Sequence, residues 1–250
     1  MTRDVLGIDV GGSSVKAALV DVASGRITGE VVSVPTPQPS TPAALLDVFT
    51  QLDQRLPTRG PVGVALPCVV QHGVTRTAAN IDKGWIDHDC AGALRTRFSR
   101  PAAVLNDADA AGIAEMRWGA GRGTRGVAIV LTFGTGIGSA IFNDGALLPN
   151  TEFGHLEMDG RDAEHTASAR VRTVEQLDWP AWAERVNVYL ARMHGLFWPD
   201  VFILGGAVSE NFAHFSSLLK SPAEIRAAQF AGQAGLVGAA MAAAHEEDMG

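Results

Sequence analysis

VLGIDVGGSSVK, residues 5–16, is the stretch whose reading decides the fold. Val5, Leu6 and Ile8 suit a buried strand, and Gly11 with Gly12 permits backbone angles that Cβ-bearing residues resist, so the chain turns sharply just after Asp9. A turn of that kind aims several backbone N–H groups at one point, and phosphate is the commonest anion to bind there. A dinucleotide-binding unit or a Walker loop would continue into a helix. Here Val15, Ala17 and Leu19 alternate with their neighbours only as far as Asp21, and VASGR, residues 22–26, reads as another turn. The spacing predicts a glycine-turned β-hairpin.

The same pattern returns later in the chain. Residues 127–144, VAIVLTFGTGIGSAIFND, repeat residues 4–21, DVLGIDVGGSSVKAALVD, at a constant offset of 123. Asp9 answers to Thr132, Gly11 to Gly134, Ala17 to Ala140 and Asp21 to Asp144. Two glycine hairpins at equivalent places imply two similar α/β domains facing each other across a cleft. No low-complexity linker separates them, so the boundary is expected near residue 105, giving domains 1–105 and 106–250, with the last helix free to pack back on the first.

Between the hairpins the alternation of strand and helix continues. RITGEVVSVP supplies a third strand ending at Pro35, and Thr41 caps a helix that has Pro42 at its first position and Leu45, Phe49 and Leu52 at helical spacing. Residues 61–66 read as a strand, 68–90 as a polar stretch carrying Asn80, Lys83 and Trp85, 91–98 as a helix, and 102–107 as a short strand followed by a helix. Beyond the second hairpin, a long helix is predicted over 176–197, a strand closed by Gly205 and Gly206, a helix over 209–219, and a small-residue C-terminal helix.

The 250-residue chain can bury one large core or two small ones. A net charge of −7 argues against broad nucleic-acid or anionic-membrane binding. No apolar run of about 18 residues occurs and MTRDVLG lacks a signal-peptide core, so the expected setting is cytoplasmic. Cys68 and Cys90 have no CxxC or Cys/His spacing and read as buried free thiols.

Phosphoryl transfer needs a donor clamp, usually with Mg²⁺, and a base that takes the proton of the accepting hydroxyl. Asp9 and Lys16 suit the clamp, Asp9 as a hard oxygen ligand for Mg²⁺ or, alternatively, as a cap of its own turn. Asn106 and Asp107 end an apolar strand, where ligands of α/β sheets gather, although Asp107 also suits a helix N-cap. Glu152, His155, Glu157, Asp159, Asp162, Glu164 and His165 form an acidic, histidine-bearing stretch that fits sugar hydroxyls, a metal or a solvated loop.

In six ordered motifs the chain resembles the ROK (repressor, open reading frame, kinase) family of the sugar kinase, actin and hexokinase superfamily. GIDVGGSSVK resembles the first phosphate motif, with Ser13 where Thr is usual, AANIDKGW the sugar-contacting Asn loop, and VLNDADAAGIAE the Asn–Asp pair. LTFGTGIGSA resembles the second phosphate motif, EFGH the family's ExGH, and ILGGAVS the adenosine-side turn. The resemblance implies an actin-like, ribonuclease H-like fold in both domains. It implies Asp107 as general base, and Asn80, Asn106, Glu152, His155 and Glu164 on the remaining hydroxyls of the sugar. Donor phosphates would meet Asp9, Gly11, Gly12, Ser13, Ser14 and Lys16 on one side, and Thr132, Gly134, Thr135, Gly136, Gly205 and Gly206 on the other.

One departure narrows the family. Most members follow ExGH with CxCGxxGC, a zinc motif, whereas LEMDGRDAEHTASA here has no cysteine, so no structural zinc is expected. In this the chain resembles the bacterial polyphosphate glucokinases. That implies a kinase making glucose 6-phosphate from polyphosphate, with ATP open as a further donor, Mg²⁺ as cofactor, mannose open as a further acceptor, and a homodimer. For the polyanion's path Lys16, Lys83, Arg117, Arg122 and Arg125 are candidates, with surface solubility as the alternative for each. The rival readings are an ATP-dependent ROK kinase for mannose, fructose or an N-acetyl amino sugar, a sugar-sensing ROK regulator, and an actin-like ATPase. The regulator would need an N-terminal helix-turn-helix, but the first strand begins by Val5.

Overall fold

In the computed structural model, which describes residues 4–79 and 81–249, the quoted stretch forms strands β1 (Asp4–Val10) and β2 (Ser14–Asp21), paired antiparallel. Val5, Leu6 and Ile8 are fully buried, as their alternation with the turn demands. Strand β3 (Arg26–Pro35) returns along β2, and helix α1 (Pro42–Arg55) follows. Thr41 caps α1 by accepting from the Ala44 N–H at 3.2 Å, so Pro42 sits where its missing donor costs nothing.

Strand β4 (Val62–Leu66) is buried at every residue, as suits the centre of a sheet, and pairs parallel to β1. The polar stretch 68–90 is more ordered than its composition suggests. It holds three short strands, β5 (Val70–Gln71), β6 (Val74–Thr75) and β7 (His88–Asp89), and a turn whose Trp85 is fully buried, its indole N–H donating to Ser40 O at 2.8 Å. Helix α2 (Cys90–Phe98), strand β8 (Ala102–Asn106) and helix α3 (Asp107–Trp118) complete the alternation. The sheet order is β3-β2-β1-β4-β8.

The second sheet is built alike. Strands β9 (Val127–Phe133), β10 (Ile137–Asn143) and β11 (Ala146–Leu148) form an antiparallel meander. A small hairpin of β12 (Glu157–Met158) and β13 (Arg161–Asp162) precedes helices α4 (Glu164–Ala167), α5 (Ala169–Val174) and α6 (Trp179–Phe197). Strands β14 (Val201–Gly206) and β15 (Glu224–Ala227) then add in parallel, giving the order β11-β10-β9-β14-β15. Both sheets thus have a three-stranded antiparallel meander whose first strand continues into two parallel strands. β1 and β9 also bury and expose the same positions along their length.

The repeat departs from its ungapped alignment on the returning arm. Val10 pairs with Val15 across the first turn, but Phe133 pairs with Ile137 across the second, so the second turn is one residue tighter. The opposite number of Ile8 is Ala17, whereas that of Leu131 is Ser139 and not Ala140. A one-residue slip exchanges the faces of a strand, so the match of Ala17 to Ala140 is one of sequence and not of position.

The chain divides into two units, residues 1–114 with 233–250, and residues 115–232. The expected boundary at 105 therefore moves to the middle of α3, because Ala110 on that helix packs with Ala65 of β4 and with Ala239. The C-terminal helix, Ala234–Met249, lies on the first sheet, and the contact is backbone to backbone. A Cβ on Gly7 would stand 2.2 Å from Leu236 O, one on Gly63 1.8 Å from Ala239 O, and one on Gly238 1.7 Å from Ala110 O.

Three features of the second unit differ from expectation. α6 begins at Trp179 and not at 176, since Asp178 caps it by accepting from the Ala181 N–H at 2.9 Å. The helix expected over 209–219 breaks into short turns, Ser209–Asn211, Phe212–Phe215 and Ser216–Leu218, and β15 had no sequence expectation.

Candidate active site

The first turn is strapped at three points. The Gly11 N–H donates to Ser14 O at 3.0 Å, the Thr36 N–H to Ser13 O at 3.1 Å, and the Thr36 hydroxyl to Gly11 O at 2.6 Å. Neither Gly11 nor Gly12 has a positive φ, which corrects the reason for their presence. Gly11 is set by close approach, since a Cβ there would stand 3.0 Å from Ser14 O, and Gly12 provides room, since a Cβ there would meet nothing within 4 Å. The turn therefore presents open backbone to solvent. It borders a cavity of about 310 Å³ lined also by Thr36, Gln38, Ser40, Pro67 and Asp82.

Asp9 stands behind this turn, directly across from Lys16. Burial pushes its carboxyl up to about 6, against the lowering effect of Lys16. The crowding comes in part from Gly235, where a Cβ would lie 2.7 Å from the Asp9 Cγ. Gly235 is a residue that sequence reading missed, because the start of the last helix carries no local mark of what it packs against. Lys83, a candidate for a polyanion path, donates one ammonium hydrogen to the carbonyl of Ala78 in its own loop. Arg117, Arg122 and Arg125 are exposed.

At the end of β8 the structure decides between the two roles left open for the Asn–Asp pair. Asn106, which is buried, is the cap: its Oδ1 accepts from the Ala108 N–H at 2.8 Å and from the Asp109 N–H at 3.1 Å, while Nδ2 donates to Cys68 O at 3.2 Å. Asp107 is the first helical residue and half-buried, with its Oδ1 accepting from Ala108 N at 2.9 Å. Its carboxylate does not carry the capping duty. Asn80 lies outside the described residues. Cys68 and Cys90 are buried and free.

In the second unit the turn after β9 closes with the Gly134 N–H on Gly136 O at 3.0 Å. Thr135 is exposed, and a Cβ at Gly134 would meet nothing within 4 Å. Gly205 and Gly206 end β14 opposite Thr132 and Phe133, so the turn after β14 and the glycine turn after β9 adjoin. Here glycine is required: Gly206 has φ +79°, and a Cβ on it would stand 2.5 Å from Phe133 O.

Glu152, His155 and Glu164 are gathered near the same turn. The Glu164 carboxylate accepts from the Ile137 N–H at 3.2 Å and lies so close to Gly136 that a Cβ there would be 2.1 Å from its Oε2. Burial raises the Glu152 carboxyl above the usual range, with His155 opposing the rise and Glu164 adding to it. The ExGH turn is held from behind by the Tyr189 hydroxyl, which donates to Phe153 O at 3.1 Å. Tyr189 lies on the buried face of α6 with Trp182, Val186 and Met193, and no local sequence signal marks its partner.

The cysteine-free stretch after ExGH is the β12–β13 hairpin. Asp159 (φ +53°) and Gly160 (φ +78°) form its two-residue turn, the left-handed pair that suits the twist of a tight hairpin. His155 Nδ1 bonds to Asp162 Oδ2 at 2.9 Å and the Ala163 N–H donates to Leu156 O at 2.9 Å, so side-chain and backbone bonds close the loop. Among the described residues, no group of three or more His, Cys, Asp or Glu side chains is placed to hold a metal ion.

The bond to Asp162 raises His155 above its ordinary value, burial opposes this, and the charges of Glu164, Asp162 and Glu152 add to it. Such a pair stabilises fully below the unfolded-state value of about 6.5 and is lost as pH rises through the higher folded value. The wild type is therefore expected to exceed Asp162→Asn in Tm by more near about pH 6 than near about pH 9. An equal gap at both would sink the ion-pair account.

Sequence comparison matches residues 5–177 to the ROK family. A polyphosphate glucokinase of Mycobacterium tuberculosis (strain CDC 1551 / Oshkosh) is 44% identical over 241 residues, covering 96% of this chain and 91% of that protein. Among solved structures, the inorganic polyphosphate/ATP-glucomannokinase of Arthrobacter sp. strain KM superposes with a TM-score of 0.91 at 44% identity, covering 98% of this chain and 99% of the other. A ROK family glucokinase from Streptomyces griseus, solved in complex with glucose and AMPPNP, superposes with a TM-score of 0.82 at 26% identity, covering 97% and 99%.

Proposed function

The chain belongs to the ROK family, and from that premise we propose that it is a polyphosphate-dependent glucokinase, with ATP as a second donor and mannose as a second acceptor. The observation that carries this is the 44% identity, over nearly the whole of both chains, to proteins named for polyphosphate as donor. The cysteine-free hairpin after ExGH and the two open glycine turns agree with it.

In the reaction the 6-hydroxyl oxygen of glucose forms a bond to the terminal phosphorus of the donor while the bond from that phosphorus to the chain's bridging oxygen breaks. The hydroxyl proton passes to the carboxylate of Asp107, and polyphosphate leaves one unit shorter. Asn106, locked as the cap of α3, fixes the backbone from which Asp107 projects. Asn80, Asn106, Glu152, His155 and Glu164 bind the other hydroxyls, as the family motifs imply. Carboxylates accept hydroxyl protons and His155 donates to hydroxyl oxygens, so this set fits a polyol better than an anion. The first turn, Gly11 to Ser14 with Lys16, and the second, Thr132 to Gly136 with Gly205 and Gly206, hold the donor phosphates, with open backbone at Gly12 and Gly134.

Mg²⁺ fits Asp9. That ion is commonly held by one or two carboxylates together with substrate phosphates and water, and Asp9 supplies one carboxylate behind a phosphate-facing turn. When bound it offsets charge on the phosphoryl oxygens. Among the described residues no helix is long and apolar enough to cross a membrane. The proposed setting is a cytoplasmic homodimer with neither nucleic acid nor membrane as partner, on the net charge of −7 and the family resemblance.

The test is to incubate the purified protein with glucose, Mg²⁺ and either polyphosphate or ATP and to measure glucose 6-phosphate. Product is expected from polyphosphate. Its absence there, with product from ATP, would overturn the donor assignment and leave the family unaffected.

A further inference from the structure

The second glycine turn has a carboxylate on one flank. Glu164 is bonded to the Ile137 N–H and presses on Gly136, so a phosphate entering the open space at Gly134 comes into its field. For a polyanion to settle there a cation must offset that charge. Helix α5 begins beside the turn, with the Arg170 N–H donating to Gly134 O at 3.0 Å. Two guanidinium groups stand on this helix. Arg172 is committed, its Cζ lying 3.5 Å from the centroid of the Trp179 ring. Arg170 is exposed, and among the described residues its guanidinium makes no hydrogen bond or ion pair.

We propose that Arg170, anchored by its backbone to the second glycine turn, holds a phosphate of the polyphosphate chain there and offsets Glu164. This rests on the donor reading above. A guanidinium suits the task because its planar fork matches two phosphate oxygens at once, and its charge is permanent. Arg170 lay outside the basic residues that sequence reading singled out, since its place beside Gly134 is made by a contact between residues distant along the chain.

Steady-state kinetics of the wild type, Arg170→Lys and Arg170→Gln test it, with polyphosphate and glucose varied in turn at low and at high salt. Arg170→Gln is expected to raise the KM for polyphosphate about tenfold, the scale of one lost charge-assisted hydrogen bond, while the KM for glucose stays within about twofold. The rise of the polyphosphate KM with salt should be shallower in Arg170→Gln than in the wild type, because one screened attraction is gone. Arg170→Lys, which keeps the charge, should recover part of the loss. A polyphosphate KM within about twofold of wild type in Arg170→Gln would overturn the proposal, as would an equal rise in the glucose KM accompanied by a fall in Tm. A wild type that makes no product from polyphosphate would overturn the donor reading itself, and this one with it.

Discussion

Asp107→Asn is expected to lower kcat for glucose phosphorylation by about 10²–10⁴-fold, the range that a positioned general base contributes. The exchange is nearly isosteric. The helix start is capped by Asn106, whose Oδ1 takes the Ala108 and Asp109 N–H groups. The bond that Asp107 Oδ1 accepts from the Ala108 N–H at 2.9 Å can be kept by the amide oxygen of Asn. Tm and glucose affinity should therefore stay near wild type, measured by thermal unfolding and by equilibrium titration with glucose. Wild-type turnover in this variant would remove Asp107 from its role as proton acceptor. A large fall in Tm would instead show that the carboxylate carries structural weight that its bonds do not reveal.

The largest effect on stability is expected at Gly63→Ala, a single added carbon in the middle of β4. That carbon would lie 1.8 Å from Ala239 O and 2.3 Å from Ala239 C, both backbone atoms of the C-terminal helix. A flexible side chain could swing away, but a helix backbone moves only if the helix lifts from the sheet. Overpacking in cores costs about 1–3 kcal/mol and sometimes more, and this site belongs at the upper end because the obstacle is rigid. In a chain of this size about 3 kcal/mol corresponds to a fall in Tm of roughly 6–12 °C. The control is Gly195→Ala in α6, where a Cβ would meet nothing within 4 Å and where Ala, the better helix former, should stabilise by about 0.5–1 kcal/mol. Equal Tm values for Gly63→Ala and wild type would mean that the helix does not sit against the sheet this closely.

The candidate site was legible in the sequence to the extent that its parts are local. Asp9 with Gly11 and Gly12, Asn106 with Asp107, and Glu152 with His155 each fall within a few residues, and each is found at a strand end or tight turn. Their physical reasons were less legible. Gly11 and Gly12 were credited with unusual backbone angles, but neither has a positive φ; Gly11 allows the close approach of Ser14 O and Gly12 contributes open space. Capping was assigned to Asp107 as the competing role, yet Asn106 does it, because the buried position at the end of β8 also meets Cys68 O and turns the amide toward the helix start. The bond from Lys83 to the Ala78 carbonyl and the place of Arg170 beside Gly134 had no sequence signal.

The sequence by itself determined the two hairpins, the succession of strands and helices around them, and the family. All of these rest on short periods: two along a strand, about 3.6 along a helix, and glycine where the chain turns. The tertiary structure alone decided the rest. It made the second turn one residue tighter than the first, returned the C-terminal helix to the sheet of the first unit, and set Gly235 against Asp9 and Arg170 beside Gly134. These features join residues far apart along the chain. The C-terminal segment AGLVGAAMAAA is apolar on every side, so no stripe on it names the surface it will cover. Close backbone packing chose that surface: glycines on the strands, Gly7 and Gly63, allow the approach to the sheet, and Gly238 on the helix allows the approach to Ala110 of α3.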